Sequence, residues 1–375
     1  MVQVFAEMTP ASEWRPSRTP LRALSPWVAR AALAVVAFTF VVLLAVAFAY
    51  RTPPPAHPGD GDLALYGRIV ARLQAGEPYY PAAHAEMLAG HYGTLSVPGW
   101  RAPFYLSLVS LFPTVRLAQW ALMALTLMAG ATALLFLLRT AGRTTAIAMT
   151  PFLFVTLGGC LVPGVVLYSE YACGTLILLS AMCFALGRRS AGFMTGVLAL
   201  FLRELALPYV LVCLLLAWQQ GRRREVAAWL ASLITYAGYY AWHAHMVIAQ
   251  LGPADSGATE GWLRFGGASF LVSTASFAGL LAGAPMYVAA AFLVFAVVGI
   301  VAWPDNADRT VPLTILVYLL AFAFIGKPLN RYWGEIYTPL LTLGLAWTLP
   351  ALRDLIGAAA GRRRLRRNHA LQDAR

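Results

Sequence analysis

Hydrophobic residues in this chain are gathered into long runs, separated by short breaks that carry arginine or polar residues. The first run, 27–50, is long enough at about 1.5 Å per residue to cross a hydrocarbon core of about 30 Å. Further runs over 117–138, 144–157, 162–186, 226–248, 286–303, 313–325 and 339–352 predict helices that alternate in direction. The stretch 191–218 has arginines before it (Arg188, Arg189) and after it (Arg222, Arg223, Arg224). Both ends therefore lie on one side, which predicts a hairpin of two short helices with Arg203, Glu204 and Pro208 near its tip. The pattern predicts an all-α integral membrane protein, a polytopic bundle of about ten transmembrane helices with both ends cytoplasmic.

The breaks divide the chain further. Residues 1–26 read as a polar, arginine-containing cytoplasmic leader, 27–355 as a single membrane domain, and 356–375 as a basic cytoplasmic tail. Ala47, Phe48 and Ala49 resemble a signal-peptidase site, but the run is long for a signal sequence, so an uncleaved first helix is expected. The first outer loop spans 51–101. Pro53, Pro54, Pro55 and Pro58 forbid helix continuation. Asp60 or Asp62 then caps a short helix with Leu63, Leu65, Ile69, Val70 and Leu73 on one face and Arg68 and Arg72 on the other. Such a helix lies along the membrane surface. Residues 102–112, bracketed by Pro103 and Pro113, are too short to span and predict a half-buried interfacial helix. The Ser-, Ala- and Gly-rich segment 270–281 is expected to be interfacial too, and 327–337 forms a second charged outer loop.

Composition agrees. Of 375 residues, 60% are hydrophobic and 12% charged, too little polar surface to coat a soluble globule. The net charge of +12 comes from arginine clusters between runs, the positive-inside pattern, and not from a basic face on a soluble module, so no nucleic-acid partner is expected. Cys160, Cys173, Cys183 and Cys213 lie inside apolar runs without metal-ligand spacing and read as small buried hydrophobes.

Three polar groups could carry chemistry. Asp60 and Asp62 leave the first run together, and a carboxylate beside an apolar surface can act as a general base or simply cap a helix. Lys327, Asn330, Arg331, Tyr332, Trp333 and Glu335 combine cations able to clamp a phosphate with aromatic residues able to line a lipid or sugar; interfacial snorkelling is the plainer reading. Glu170 and the neighbours Arg203 and Glu204 lie at membrane depth, where ionisable groups face a site or a partner. On a helix Arg203 and Glu204 would point about 100° apart and not pair, whereas Glu170 could pair with Arg203 across helices or contact substrate. His243 and His245, two apart, do not share a helix face, which argues against a metal pair.

Taken in order, these features resemble the GT-C superfamily of integral membrane glycosyltransferases. Asp62, Tyr66, Gly76 and Tyr79 are similar to the D-x-x-x-Y and G-x-x-Y run after the first span of bacterial mannosyl- and aminoarabinose-type members. Arg101, Ala102, Pro103 and Tyr105 resemble the segment ending their first outer loop, with Ala102 in place of its first proline. Ser169 with Glu170, Arg203, and Arg331-Tyr332 followed by Pro339 resemble later elements. The resemblance implies inverting transfer of a sugar from a polyprenyl-phosphate donor to a glycan, lipid or protein acceptor. It places Asp62 as base, Asp60 as its neighbour, Arg101, Lys327 and Arg331 on the leaving phosphate, and Tyr66, Glu170, Arg203 and Tyr332 as further substrate contacts. Asp60 beside Asp62 leaves a divalent metal as an option without making up a site. The setting implied is the bacterial inner membrane, among its lipids, with the site facing outward. A transporter or lipid flippase, or a non-catalytic subunit on the same scaffold, are the competing readings.

Overall fold

The first hydrophobic run becomes helix α1 (Pro26–Ala49), with Pro26 in the first turn, where a missing N–H costs nothing. The computed structural model describes residues 19–51, 61–257, 265–305 and 307–361. Asp60 therefore lies outside the described residues, as do most of the leader and tail. Helix α1 packs along α12 (Met286–Val301) and α15 (Leu345–Ala359). The start of the chain is tied to α15 by Thr19, whose N–H and hydroxyl both donate to Asp354 Oδ2 at 2.9 Å.

Around this lie α5 (Val115–Thr140), α6 (Arg143–Leu157), α7 (Ser169–Ala185), α8 (Arg189–Leu202), α9 (Leu207–Gln219), α10 (Arg223–Ile248), α11 (Gly267–Ser276), α13 (Thr310–Phe324) and α14 (Thr338–Leu343). About 80% of the structure is helical, and no strand occurs among the described residues. There, three helical stretches are long and apolar enough to cross a membrane: Pro26–Ala49, Val115–Thr140 and Arg143–Leu161. Five more, among them Ser169–Ala185, Met286–Val301 and Thr310–Phe324, are apolar but shorter. The predicted hairpin is present as α8 and α9, joined by a 3-10 turn, Glu204–Ala206.

Two predicted segments come out differently. The run 162–186 is not one helix. Gly158–Leu161 and Val165–Leu167 form separate 3-10 turns, with Gly164 between them at φ +83°, and α7 starts only at Ser169. Pro163 and the glycines interrupt the ladder there, a local backbone cost that the apolar character of the run conceals. Helix α7 is then the centre of the bundle, buried from Ser169 through Phe184. The segment 270–281 is not one half-exposed helix either: α11 is packed inside the protein, and a 3-10 turn, Gly279–Gly283, follows it. Phe270 and Val272 to Ser276 on α11 are buried, because Ser273, Thr274 and Ser276 return their hydroxyls to carbonyls three residues back, Phe270, Leu271 and Ser273. Their small side chains let a 3-10 segment, Pro328–Ile336, press against α11 at Gly334.

Between α1 and α5 lie α2 (Asp62–Gln74), α3 (Tyr79–Ala89) and α4 (Pro103–Ser110). Leu65, Tyr66, Ile69 and Val70 form the buried face of α2, with Leu63 and Leu73 half-buried. Its other side is clamped to α3: Arg68 reaches Glu86 at 2.7 Å, and Arg72 reaches Glu77 at 2.8 Å and Glu86 at 3.2 Å. Helix α4 is half-buried as predicted, with Tyr105, Leu106 and Val109 inward and Phe104 and Leu108 outward.

Candidate functional site

The cap of α2 is Gly61, at φ +83°, and not a carboxylate; Asp62 takes the first helical position. There its charge faces the positive end of the helix dipole. Tyr66 follows four residues on, on the same face and buried, so the D-x-x-x-Y spacing stacks carboxylate over phenol.

Arg101, in the link before α4, ties the cluster together. Its Nε donates to the Tyr66 hydroxyl at 2.7 Å and its Nη2 to the Tyr332 hydroxyl at 2.9 Å. Tyr332 passes the contact on, donating to Asp62 Oδ2 at 3.3 Å. The Arg101 carbonyl accepts from Tyr79 at 2.5 Å, so the second tyrosine of the sequence pattern holds the arginine's backbone in place. Tyr168 completes an aromatic wall, 5.2 Å from the Tyr332 ring and 6.1 Å from Tyr66.

Toward the bundle the chain of charge continues. Arg101 Nη2 lies 3.4 Å from Glu170 Oε1, which also lies 2.9 Å from Arg203 Nε. Arg203 Nη1 lies 2.6 Å from Glu204 Oε1. Arg203 and Glu204 do not diverge as helical neighbours would, because Arg203 is not helical: its backbone is extended at φ −155°, ψ 124°, where α8 ends. Glu170, in the first turn of α7, is fully buried and Arg203 is 4% exposed. Within this pair the atoms are near enough for ion pairing, yet Glu170 Oε1 and Arg203 Nε and Nη1 make no aligned hydrogen bond. A small cleft opens beside them, with about 250 Å³ of empty space including its mouth, lined by Arg101, Tyr105, Ser169, Leu202, Arg203 and Glu204 among others.

Burial pushes the Tyr66 and Tyr332 phenols well above their ordinary range, against the opposing pull of Arg101. Both stay protonated at neutral pH; Tyr66 accepts from Arg101, and Tyr332 accepts from Arg101 and donates to Asp62. Arg101 is opposed by its own burial but held more firmly charged by Tyr66, Glu170 and Tyr332.

Of the residues singled out in the sequence, Asp62, Tyr66, Arg101, Glu170, Arg203 and Tyr332 form this one connected cluster. Arg331 does not join it. Its guanidinium lies over the Phe277 ring at 5.4 Å, and Nη2 donates to the Ala282 carbonyl at 3.4 Å. Lys327 immediately precedes the 3-10 segment that carries Tyr332. Glu335 is not on a surface loop: it is buried, accepts from the Gly279 N–H at 2.7 Å, and its burial pushes the carboxyl up to about 8. His243 is buried against Tyr80, 3.1 Å from its hydroxyl, while His245 is exposed. No sequence pattern points to the hydrogen bond from Tyr105 to the Val166 carbonyl or to the reach of Glu204 into the cleft; the only sequence signal for Glu204 is its place at the hairpin tip.

No group of three His, Cys, Asp or Glu side chains able to hold a metal occurs among the described residues. Around Asp62 the described neighbours are a phenol and, one hydroxyl further, a guanidinium. That donor set does not make up the oxygen cage a divalent ion takes. Comparison with family models, curated proteins and solved structures gives no match to this chain.

Proposed function

We propose that the chain is an inverting membrane glycosyltransferase of the GT-C type, moving a sugar from a polyprenyl-phosphate donor to a glycan, lipid or protein acceptor. The observation that carries this reading is the hydrogen-bonded line from Asp62 through Tyr332 to Arg101: a carboxylate, a neutral donor and a fixed cation within one cluster. In the proposed step the acceptor hydroxyl takes the place of Tyr332 at Asp62 and gives its proton to the carboxylate. The acceptor oxygen bonds to the anomeric carbon as the bond from that carbon to the phosphate oxygen breaks. The electron pair leaves with the phosphate, and the configuration inverts. Arg101, with its guanidinium already oriented by two phenols, stabilises the charge growing on the leaving group. Lys327, just before the neighbouring 3-10 segment, would act on the polyprenyl phosphate, and Arg331 would join it only by leaving Phe277 and the Ala282 carbonyl. The ten-span bundle, with α2 to α4 at the outer face of a bacterial inner membrane, completes the proposal.

The test is transfer from polyprenyl-phosphate sugars in membranes containing Asp62→Asn. Loss of general-base help lowers turnover by about 10²- to 10⁴-fold. Unchanged transfer removes Asp62 from the chemistry, and labelling that places residues 61–101 on the cytoplasmic side removes the whole reading. The buried Glu170–Arg203 pair is what a flippase or transporter would use. Solute movement lost on its substitution, with no transfer from any donor, would favour that second reading.

A further inference from the structure

Arg203 and Glu204 take no part in the step above, and the cleft they line has room for little more than one water. A sugar or a phosphate does not fit there. What the two residues do touch is a line of charge that ends at Arg101. Glu204, Arg203, Glu170 and Arg101 alternate in sign, with successive contacts of 2.6, 2.9 and 3.4 Å. The four charges sum to zero and each has an opposite charge beside it, as buried ionised groups require.

The Glu204 end of this line is fixed by the backbone. Glu204 opens the 3-10 turn at the hairpin tip. There the Arg203 carbonyl accepts from the Ala206 N–H at 2.9 Å, and the Leu205 carbonyl accepts from the Tyr318 hydroxyl of α13 at 2.7 Å. Arg203 then lies between two carboxylates, with Nη1 toward Glu204 and Nε toward Glu170. A single oxygen, Glu170 Oε1, serves both Arg203 and Arg101. The two guanidiniums repel each other across it. Where that oxygen sits therefore depends on how strongly Arg203 is drawn to its other carboxylate. At the far end Arg101 Nη2 divides its reach between Glu170 and the Tyr332 hydroxyl, which donates to Asp62.

We infer that Glu204 is a positioning residue for Arg101, acting through Arg203 and Glu170. With the Glu204 charge in place, Arg203 is drawn toward the hairpin tip and Glu170 Oε1 stays within reach of Arg101. Without it, Arg203 has Glu170 alone, closes on Oε1 and draws it from Arg101, whose guanidinium is left with its two phenols. The consequence for turnover rests on the transferase reading; the positioning of Arg101 does not.

The test is Glu204→Gln, which keeps the shape of the side chain and removes its charge. The readout is hydrogen exchange of arginine Nε–H groups, by NMR of the full-length protein, isotope-labelled at arginine, in nanodiscs. Arg101→Lys and Arg189→Lys identify the two signals by their loss. In Glu204→Gln the Arg101 Nε–H, which donates to Tyr66, exchanges about tenfold faster. The Nε–H of Arg189, paired with Glu225 at the other end of α8, keeps its wild-type rate. Glu204→Asp, which retains the charge, exchanges more slowly at Arg101 than Glu204→Gln does. An unchanged rate at Arg101, an equal rise at both arginines, or equal rates in the two variants overturns the positioning. In transfer from a polyprenyl-phosphate sugar, kcat falls about tenfold in Glu204→Gln and KM does not rise, because Arg101 acts on charge that grows in the transition state. A rise in KM alone would make Glu204 a substrate contact and overturn the inference. A wild type that transfers nothing defeats the transferase reading, and the exchange rates then decide the positioning by themselves.

Discussion

Helix α8 has an arginine–glutamate cluster at each end, separated by about 20 Å of helix. At its start, Arg189 grips Glu225 with both arms of its guanidinium, and Arg222 adds a bond to the same carboxylate at 2.9 Å. At its end, Arg203 and Arg101 share Glu170 without aligned hydrogen bonds. The first cluster is roughly a quarter to a third exposed, while Glu170 is wholly buried. A fork that is aligned and wet is complete in itself. Charges that are buried, close and misaligned, and that connect through phenols to an outlying carboxylate, are arranged for something else. The same residue types thus mark a brace at one end of a helix and a candidate site at the other.

The sharpest way to break this contrast is to remove one carboxylate from each end. Glu170→Gln takes the shared buried carboxylate from Arg101, left with its two phenols, and from Arg203, left with Glu204, and losing one partner of a buried pair costs about 3–5 kcal/mol. Glu225→Gln removes a solvent-screened partner, for which about 0–1 kcal/mol is expected. Thermal unfolding in one detergent measures both. Equal losses would mean that the two clusters are alike and that burial is not what separates them.

Backbone contacts sharpen the contrast next. A Cβ on Gly174 would come within 1.9 Å of the Glu335 carbonyl, in the very segment that delivers Tyr332, whereas one on Gly238 of α10 meets nothing within 4 Å. Gly174→Ala is expected to cost at least about 1–3 kcal/mol by overpacking. Gly238→Ala is expected to stabilise by up to about 1 kcal/mol through helix propensity. Below these lies Tyr332→Phe. It deletes one hydroxyl between Arg101 and Asp62, for about 1 kcal/mol in unfolding. If the hydroxyl orients both groups for transfer, turnover falls further than stability does, and parallel losses would reduce Tyr332 to packing.

How far these features could be read from the chain depended on which force decided each one. Hydrophobic runs governed by length and burial predicted α1, α5, α6 and the α8–α9 hairpin within a few residues. The amphipathic face of α2 was legible because Leu65, Tyr66, Ile69 and Val70 follow helical spacing. Failures came where local backbone chemistry prevailed. Pro163 and Gly164 broke an apolar run that otherwise suggested one helix, and Ser273, Thr274 and Ser276 satisfied themselves and let α11 pack inside the protein. Asp62, Tyr66 and Tyr79 carried a spacing that the fold uses. The approach of Tyr332 to Asp62 joins residues far apart in sequence through a 3-10 segment, and no local period encodes that. Arg331, beside it, pointed the wrong way for the same reason: on so tight a helix, neighbours diverge.

The smallest expected effect concerns pH and reaches only the Asp62 side of the comparison. Asp255, in the loop after α10, pairs with His84 of α3 at 2.8 Å, and His84 stacks on Trp100, next to Arg101. Burial alone would raise the Asp255 carboxyl, but the Thr94 hydroxyl, the Gly252 N–H and His84 outweigh it and hold it at about 2. A carboxyl whose folded value is depressed contributes stability above its unfolded value, near pH 4, and loses it as pH falls through the folded value. The latch therefore holds at neutral pH and weakens progressively between about pH 4 and pH 2. The amides of Thr94 and Leu95, which donate to the Ser256 carbonyl at 2.9 and 3.3 Å, report its state. Their hydrogen exchange, corrected for intrinsic rate, should quicken across that window in the wild type. In Asp255→Asn it should already be fast at pH 7 and show no such step. A step that survives the substitution would assign the titration to another group and detach this loop from the Arg101 end of the molecule.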